Sequence, residues 1–258
     1  MRLLAHFWNA LPGRTQFWLS RLNALWLSTR WSAFLIRPYC VWQYGSTGVL
    51  SLHAPGSGFE NYSSFQDFFT RRLRKLPVIL ALTIWPCDGV LCDSFEFDSN
   101  EQRVSVKGAS LPVRNVFGSV GDKIPDGYSY TNVFLHNRDY HRIHAPISGK
   151  ITRIEQIPGE LMFLRPWLYP STPSKPALVN ERVVVTIEDE MSRPWYLSIV
   201  GGPGVATIDI SQNMKIGARV SVGGEVAAFR MGSTCCMAAP VHGRAEVPTQ
   251  VKFGSQYG

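Results

Sequence analysis

Three short stretches of this 258-residue chain carry side chains that could act together in covalent chemistry. They are Pro-Cys-Asp-Gly at 86–89, Asp-Tyr-His-Arg-Ile-His-Ala-Pro at 139–146 and Met-Gly-Ser-Thr at 231–234. They supply one acid, Asp88, two histidines, His141 and His144, and one hydroxyl, Ser233. A serine hydroxyl becomes a nucleophile when a neighbouring histidine takes its proton, and that histidine works best when an acid orients it. The set is therefore that of an activated serine.

The acid and the histidines also have other interpretations. Asp88 in an Asp-Gly pair can simply stabilise a turn. His141 and His144 could bind a metal, but no third ligand stands at the spacing of a closed site, and Cys235 and Cys236 are adjacent to each other. We therefore predict no metal.

The place of Ser233 in the chain is unusual for a nucleophile. It follows Gly232 within the last 30 residues or so, which leaves little chain downstream for a substrate pocket. An attack of the Ser233 hydroxyl on its own preceding carbonyl group is therefore an alternative to attack on a bound substrate.

The positive charge of the chain is concentrated at its beginning. The net charge is +7, and residues 1–76 hold nine basic and two acidic residues, so that the rest of the chain is neutral. A basic segment favours an anionic partner, either nucleic acid or a membrane surface. Tryptophan prefers the headgroup layer of a bilayer, and five of the eight tryptophans lie in the first 45 residues, so we predict a membrane partner and no nucleic acid.

The spacing within this basic segment predicts an amphipathic helix that lies in the membrane interface. Its apolar positions are Trp18, Leu22, Leu25, Trp26 and Thr29. Recurrent arginines interrupt the apolar runs, so the segment is too short to span a bilayer. Two alternatives remain open, namely an ordinary helix packed on the core of the protein and a removable transit peptide, since residues 1–59 before Glu60 contain arginine but no acid.

The remainder of the chain indicates an α+β protein with N-terminal amphipathic helices followed by an antiparallel β-sheet body. The predicted elements are a short helix at 63–73, a buried strand or core segment at 76–86, two strands at 183–188 and 195–200 joined by a polar turn, and a tight hairpin whose arms at 219–222 and 225–229 flank Gly223-Gly224. The predicted division is a membrane-association region at 1–45, a linker at 46–59 and a catalytic domain at 60–258. The five cysteines lack framework spacing and are predicted to be free thiols.

Several of these motifs, taken in order, resemble the phosphatidylserine decarboxylase family. The matching stretches are FFTRRLRKLP at 68–77, PCDGV at 86–90, KGASLPVRNVFG at 107–118, RDYHRIHAP at 138–146, PGEL at 158–161, NERV at 180–183 and MGST at 231–234. The pattern Asp-Tyr-His-Arg-x-His is the most specific of them. The chain departs from the family at Ala228, at Met231 and at 78–82, where an apolar run replaces a stretch that is commonly more polar.

The resemblance implies a self-processing, pyruvoyl-dependent decarboxylase. It implies cleavage between Gly232 and Ser233 into a β chain of residues 1–232 and an α chain of residues 233–258, with Ser233 becoming the pyruvoyl group. It further implies that Asp88 and His144 assist Ser233 in cleavage, and that His141 moves a proton during decarboxylation. Two alternatives are a pyruvoyl decarboxylase of another amine and a lipid-binding homologue that never cleaves.

The same resemblance sets expectations about substrate and location. The substrate would be phosphatidylserine in an anionic membrane and the product phosphatidylethanolamine, in phospholipid biosynthesis. The protein would be peripheral to a bacterial cytoplasmic membrane or a mitochondrial inner membrane, its cleaved α and β chains would stay partners, and a homodimer is left open.

Overall fold

An eight-stranded antiparallel sheet forms the body of the protein, as the computed structural model shows. The structure describes residues 2–54, 59–100, 102–204, 208–230, 233–243 and 245–258. Its helices are α1 Arg2–Ala10, α2 Gly13–Leu27, α3 Ile36–Tyr44, α4 Phe65–Phe69 and α5 Lys175–Val179, with 3-10 turns at Arg30–Leu35, Gly48–Leu52, Phe59–Asn61, Val113–Lys123 and Pro166–Leu168. Its strands are β1 His53–Ala54, β2 Arg72–Leu73, β3 Gly89–Glu96, β4 Arg103–Val106, β5 Ala109–Pro112, β6 Ser129–Leu135, β7 Arg142–His144, β8 Gly149–Ile157, β9 Arg182–Glu188, β10 Pro194–Gly201, β11 Ile208–Ile210, β12 Arg219–Val220, β13 Glu225–Phe229, β14 Ser233–Ala239 and β15 Thr249–Val251. The predicted α+β class is confirmed.

The large sheet has the strand order β12-β8-β9-β10-β14-β6-β3-β15, which puts β14 well inside it. Side chains of a strand point alternately to the two faces of a sheet, and both faces of this one are covered. Cys235 and Met237 lie in one core with Trp195, whereas Cys236 and Ala238 lie in the other core with Tyr130. A small sheet of order β11-β13-β7 contributes Ile143 and Phe229 to the first of these cores.

The hairpin predicted at 183–200 is confirmed. Strands β9 and β10 pair antiparallel, with Trp195 opposite Ile187. The turn between them is fixed by Asp189, whose Oδ1 accepts hydrogen bonds from the backbone N–H groups of Met191 and Arg193 at 2.9 Å each. The polar turn is therefore built by one buried acid.

The hairpin predicted around Gly223-Gly224 is wrong. Strand β12 pairs with β8 in the large sheet, whereas β13 pairs with β11 and β7 in the small one. The backbone N–H of Gly223 donates to Ala145 O at 2.9 Å, and that of Gly224 donates to Ser221 O at 2.8 Å. The two glycines therefore connect a strand of the large sheet to a strand of the small one. Glycine adopts the backbone angles of such a connection as readily as those of a hairpin turn.

The helix predicted at 63–73 is shorter in the structure, where it spans Phe65–Phe69. The side chain of Ser64 caps α4 by accepting from Asp67 N at 3.1 Å, and the helix ends at Phe69. Residues Arg72 and Leu73 then form β2, which pairs with β1. Tertiary pairing therefore overrides the helical spacing beyond Thr70.

The prediction of a buried segment at 76–86 is wrong for most of its length. Only its end is buried, at Ile84 and Trp85, whereas Leu76, Val78, Leu80 and Leu82 are exposed. Apolar composition does not specify burial here, because every second residue of the segment points to solvent.

Helix α2 directs its apolar face outward, as the amphipathic prediction requires. Trp18, Leu22, Leu25 and Trp26 are all exposed, and Thr29 follows the helix in an exposed position. The predicted apolar stripe therefore does not pack on the core, whereas the opposite face of α2 lies against the body, so the membrane role of the helix stays a prediction.

The face of α2 that touches the body mixes polar and apolar residues, with Gln16, Ser20, Ala24 and Leu27 buried. The Gln16 side chain accepts from the backbone N–H of Leu161 at 2.9 Å. The Ser20 hydroxyl accepts from the backbone N–H of Gly204 at 3.1 Å. Hydrogen bonds therefore hold the helix while its apolar stripe stays outside.

The predicted division at 46–59 stays a prediction. Leu50 within this stretch is buried in a cluster with Ile36, Phe65 and Phe69, and residues 55–58 lie outside the described part. Within the described residues, none of the helices has the length and apolar character needed to cross a bilayer.

Candidate active site

Ser233 is the first residue of β14 and is fully buried. It lies opposite Leu135, the last residue of β6, and Gly201, the last residue of β10. Its Oγ has no hydrogen-bond partner among the described residues. A buried hydroxyl without a partner is costly for a purely structural serine and typical of a reactive position. The predicted cleavage partner, Gly232, lies outside the described residues, as does Met231.

His141 directly precedes β7 and is fixed by its backbone surroundings. Its carbonyl oxygen accepts from the N–H of Phe229 at 3.0 Å, and its Nδ1 lies 2.8 Å from Asp139 O. A carbonyl can only accept, so Nδ1 carries the proton and Nε2 carries a lone pair. That Nε2 is buried and has no partner among the described residues.

His144 ends β7 and has the same tautomer for the same reason. Its Nδ1 lies 2.8 Å from Gly223 O and donates to it, so Nε2 is free to accept from the Tyr140 hydroxyl at 3.3 Å. The Phe253 ring stacks on the imidazole with a centroid distance of 3.7 Å. The ring of His144 is thus held on both edges and on one face.

Asp88 lies in the turn before β3 and meets His144 only through a third residue. Its Oδ1 accepts from Phe253 N at 2.9 Å and its Oδ2 from Lys252 Nζ at 3.0 Å. No hydrogen bond between Asp88 and His144 is present among the described residues. The acid therefore anchors the backbone of the residue whose ring stacks on His144.

The four predicted residues form two groups around β7. Ser233 shares the face of β14 with Cys235, in the core that also contains Phe229, which is the cross-strand neighbour of His141. His144 instead joins Tyr140 and Phe253 on the other face of β7, as strand alternation requires. The structure therefore brings His141 toward the face of Ser233, and His144 toward Asp88.

Helix α4 joins the first group to the segment that leads into Ser233. The Phe69 ring lies 4.2 Å from the ring of His141, between their centroids. The Gln66 side chain donates to Arg230 O at 2.6 Å. Helix α4 therefore positions His141 and the chain before the predicted cleavage point together.

Burial determines the protonation of both histidines. It lowers the pKa of His141 to about 3 and that of His144 to about 4, against a smaller opposing effect of the backbone carbonyls beside them. Among the charges, Glu225 and then Asp88 raise the pKa of His144 against Arg142, and Arg71 and then His136 lower that of His141. Both rings are therefore neutral bases at pH 7.

Four of the residues that shape this site carry no functional motif by themselves. Phe253, Lys252, Gln66 and Gly223 reach the site only through the tertiary fold. Sequence reasoning missed them because an isolated phenylalanine, lysine or glutamine has no spacing that signals a role. Among the described residues, no group of three or more His, Cys, Asp or Glu side chains is arranged to hold a metal ion.

Comparison with known proteins gives one consistent result. A family model described as phosphatidylserine decarboxylase matches residues 65–258. Among similar curated proteins, the phosphatidylserine decarboxylase proenzyme of Herminiimonas arsenicoxydans is 30% identical over 221 residues, which is 77% of this chain and 74% of that protein. The proteins of the same name from Methylobacillus flagellatus and Dechloromonas aromatica are each 29% identical, over 90% and 84% of this chain and 85% of each relative.

Proposed function

Because the chain belongs to the phosphatidylserine decarboxylase family, we propose that it cuts itself before Ser233 and turns that serine into a pyruvoyl group. It is an enzyme of that family, a carboxy-lyase that converts phosphatidylserine to phosphatidylethanolamine and CO2. The name proenzyme, carried by its relatives, implies processing into two chains. The observation that carries the proposal is the buried Ser233 Oγ at the start of β14, which has no hydrogen-bond partner among the described residues.

The cleavage step uses only groups of the chain itself. The Ser233 Oγ attacks the Gly232 carbonyl carbon, the Gly232–Ser233 C–N bond breaks, and the hydroxyl proton passes by way of a base to the released nitrogen. Elimination then removes the Cα proton of residue 233 and breaks the Cβ–Oγ bond, which leaves Gly232 as the carboxyl end of the β chain and a dehydroalanine at position 233. The imine tautomer of this dehydroalanine takes up a water molecule and releases ammonia, which gives the pyruvoyl group. We assign the base to His144 on the strength of the family resemblance, since the structure places its ring beside Tyr140 and Phe253. The ring is neutral at pH 7 because burial lowers its pKa to about 4.

Asp88 supports His144 in two ways within this proposal. Its carboxylate raises the pKa of the imidazole, which makes the ring a better base. Its bond to the backbone N–H of Phe253 also holds the ring that stacks on His144. Asp88 is therefore a positioning residue as well as an electrostatic one.

The residues around position 233 fit the group that the family implies. A pyruvoyl carbonyl there supplies an electron acceptor for the pair left behind when CO2 departs. Ser233 is fully buried, so the position is shielded from bulk solvent. His141 offers an Nε2 without a partner among the described residues, which can hold the proton of the substrate amine and return a proton to the former α carbon.

We further propose that the enzyme works as a peripheral membrane protein. The outward apolar face of α2 carries Trp18 and Trp26, which fits the headgroup layer of a bilayer that contains the lipid substrate. The surrounding segment is basic, which favours a membrane of anionic lipids. A homodimer would be compatible with this arrangement and plays no part in the chemistry proposed.

Denaturing mass spectrometry of the purified protein tests the proposal. We expect a fragment of residues 1–232 and a 26-residue fragment of residues 233–258 that lacks a free α-amine. The Ser233→Ala variant should stay intact at 28.9 kDa, whereas Ser221→Ala, which changes an exposed serine in a turn, should be cut normally.

Other outcomes would point elsewhere. An intact and inactive wild-type chain would indicate a lipid-binding homologue that never cleaves. A cut chain that releases CO2 from a water-soluble amino acid in preference to phosphatidylserine would indicate a decarboxylase of another amine.

A further inference from the structure

Residues 76–82, called the strap below, present one row of large apolar side chains to solvent. The exposed fractions are 53% for Leu76, 75% for Val78, 93% for Leu80 and 85% for Leu82. The residues between them, Pro77, Ile79 and Ala81, are only half exposed, and this alternation puts the four apolar side chains on one side of the segment. Single exposed leucines are ordinary on a protein surface, but a row of four large apolar residues marks an interaction site.

The inner side of the strap is packed, so the ridge is held outward by the fold. Ile79 lies against Gly223, and Pro77 lies against Gly254, so closely that neither glycine has space for a Cβ. Ile79 also joins the cluster that contains Tyr140 and Phe253. The exposed row is therefore the outer edge of an ordered segment.

The chain that leads into the strap is basic, although in space Glu225 pairs with Arg72, and Asp189 and Glu190 line the same pocket as Leu82. Arg72, Arg74 and Lys75 directly precede it, and residues 68–87 contain no acid. Arg74 donates its backbone N–H to Leu52 O at 3.1 Å, and Leu52 is itself exposed, so the apolar surface continues beyond the strap. An apolar ridge with a basic flank is complementary to a bilayer with anionic headgroups.

We propose that the strap inserts Val78, Leu80 and Leu82 into the acyl layer of an anionic lipid bilayer, as a contact separate from that of α2. This inference rests on the proposed function, in which the substrate is itself a membrane lipid. A second copy of the chain is a poorer occupant, because two basic flanks would repel each other and a narrow ridge offers little flat area.

The position of the strap gives this contact a consequence for the chemistry. Its inner residue Ile79 covers Gly223, whose carbonyl oxygen holds Nδ1 of His144. Its residue Pro77 covers Gly254, next to the Phe253 ring that stacks on His144. Insertion of the strap into the bilayer thus fixes the distance between His144 and the lipid headgroups.

The test is a vesicle-binding measurement on the full-length protein with the double variant Leu80→Gln/Leu82→Gln. We use vesicles of equal parts phosphatidylcholine and phosphatidylglycerol, and Ile216→Gln, which changes an exposed residue between β11 and β12, as the control. Loss of two inserted leucines should weaken vesicle binding by about tenfold or more, whereas the control should bind like the wild type.

A second measurement separates this inference from the proposed function. Decarboxylation of phosphatidylserine in vesicles should fall about as much as binding does in the double variant, while turnover of a short-chain, monomeric phosphatidylserine stays unchanged. Chain cleavage, measured by mass spectrometry, should be complete in all three proteins if the site is intact. A wild type that never splits or never releases CO2 would refute the proposed function, and the vesicle result would still decide the strap.

Two results would overturn the inference. One is wild-type vesicle binding by the double variant. The other is that the wild type is a dimer in lipid-free buffer, whereas the double variant is a monomer that binds vesicles as the wild type does. That outcome would make the strap a contact between two copies of the chain. As an independent check, Leu80→Trp should gain fluorescence quenching by brominated lipids that Ile216→Trp lacks, and equal quenching in the two would also overturn it.

Discussion

At the scale of single residues, backbone carbonyls determine what the two histidines can do. Asp139 O and Gly223 O each accept a hydrogen bond from the protonated Nδ1 of one ring, so both Nε2 atoms carry lone pairs. Burial keeps both rings neutral, but their surroundings differ. Within the part of the chain that the structure describes, His141 Nε2 has no partner, whereas His144 Nε2 meets the Tyr140 hydroxyl. The same residue type therefore stands in two chemical settings only three positions apart.

The two settings predict different defects. We expect His144→Asn to accumulate uncut chain, because the amide cannot act as a base, and His141→Asn to be cut normally but to lose at least about a hundredfold in CO2 release. Mass spectrometry and a CO2 assay distinguish them, with the exposed His242→Asn as a control that should be normal in both. Uncut chain in His141→Asn with normal cutting in His144→Asn would exchange the two roles.

Phe253 is predicted to matter because of its ring alone. The stacking on His144 at 3.7 Å holds the imidazole plane, and an aromatic pair of this kind contributes about 0.5–1.5 kcal/mol. We expect Phe253→Leu to slow chain cleavage by about two- to tenfold, and Phe253→Tyr, which keeps the ring, to restore it. A time course of cleavage measures this, and equal rates in the leucine and tyrosine variants would remove Phe253 from the site.

Sequence alone offers candidates for the reacting groups but not their contacts. Asp88, His141, His144 and Ser233 were recognised by type, order and resemblance, because the chemistry constrains those choices. Phe253 was not, because its role depends on β15 pairing with β3 and bringing distant chain beside the turn of Asp88. Long-range pairing of this kind leaves no local spacing to detect.

At the scale of elements, β14 decides what happens to the chain after cleavage. Its seven residues pair with β6 along their whole length, and six of them also pair with β10. Every residue of the strand is buried. A break in the backbone before Ser233 would therefore leave a new chain end that is held from both sides.

We accordingly expect the 26-residue α chain to stay bound after cleavage. Its bonds to β6 and β10, together with the pairing of β15 with β3, should keep the two fragments in one peak in native size-exclusion chromatography. The fragments should separate only in denaturant. Release of a free peptide under native conditions would contradict this placement of β14.

Local pattern was a good guide to some elements and a poor one to others. The β9–β10 hairpin was predictable because its strands are neighbours in sequence and in space. The turn at Gly223-Gly224 was not, because glycine permits a hairpin and a crossing between sheets equally well. The exposed row of the strap was not either, because apolar residues signal burial only when the fold offers a core to receive them.

At the scale of the whole molecule, buried histidines link stability to pH. Burial lowers the pKa of His53 to about 4, as it does for His144, and that of His141 to about 3. In the unfolded chain these histidines have a pKa near the ordinary value of 6.5. The folded state is therefore favoured fully above pH 6.5, and this contribution to the free energy of unfolding is lost as the pH falls toward 4. Asp93 and Asp139, whose pKa values burial raises, act in the opposite direction.

His53 allows this link to be measured outside the proposed chemistry. We expect the free energy of unfolding of the wild type to fall between pH 7.5 and pH 5 by about 2 kcal/mol more than that of His53→Asn, which has no group to titrate there. Urea unfolding at the two pH values measures the difference, and the comparison cancels the opposing acids. The same pH dependence in both proteins would show that His53 is not held neutral by burial.

The place of β14 also bears on how such a protein can be made. A strand that must pair on both sides is most easily set in place while it is still part of one continuous polypeptide, folding together with its neighbours. If the two chains were translated separately, the larger one could pair β6 with β10 directly, or aggregate along these unpaired strands, before the smaller chain bound. Synthesis as a single gene product followed by scission therefore allows a reactive chain terminus in the interior of a sheet, a location that ordinary subunit assembly would rarely reach.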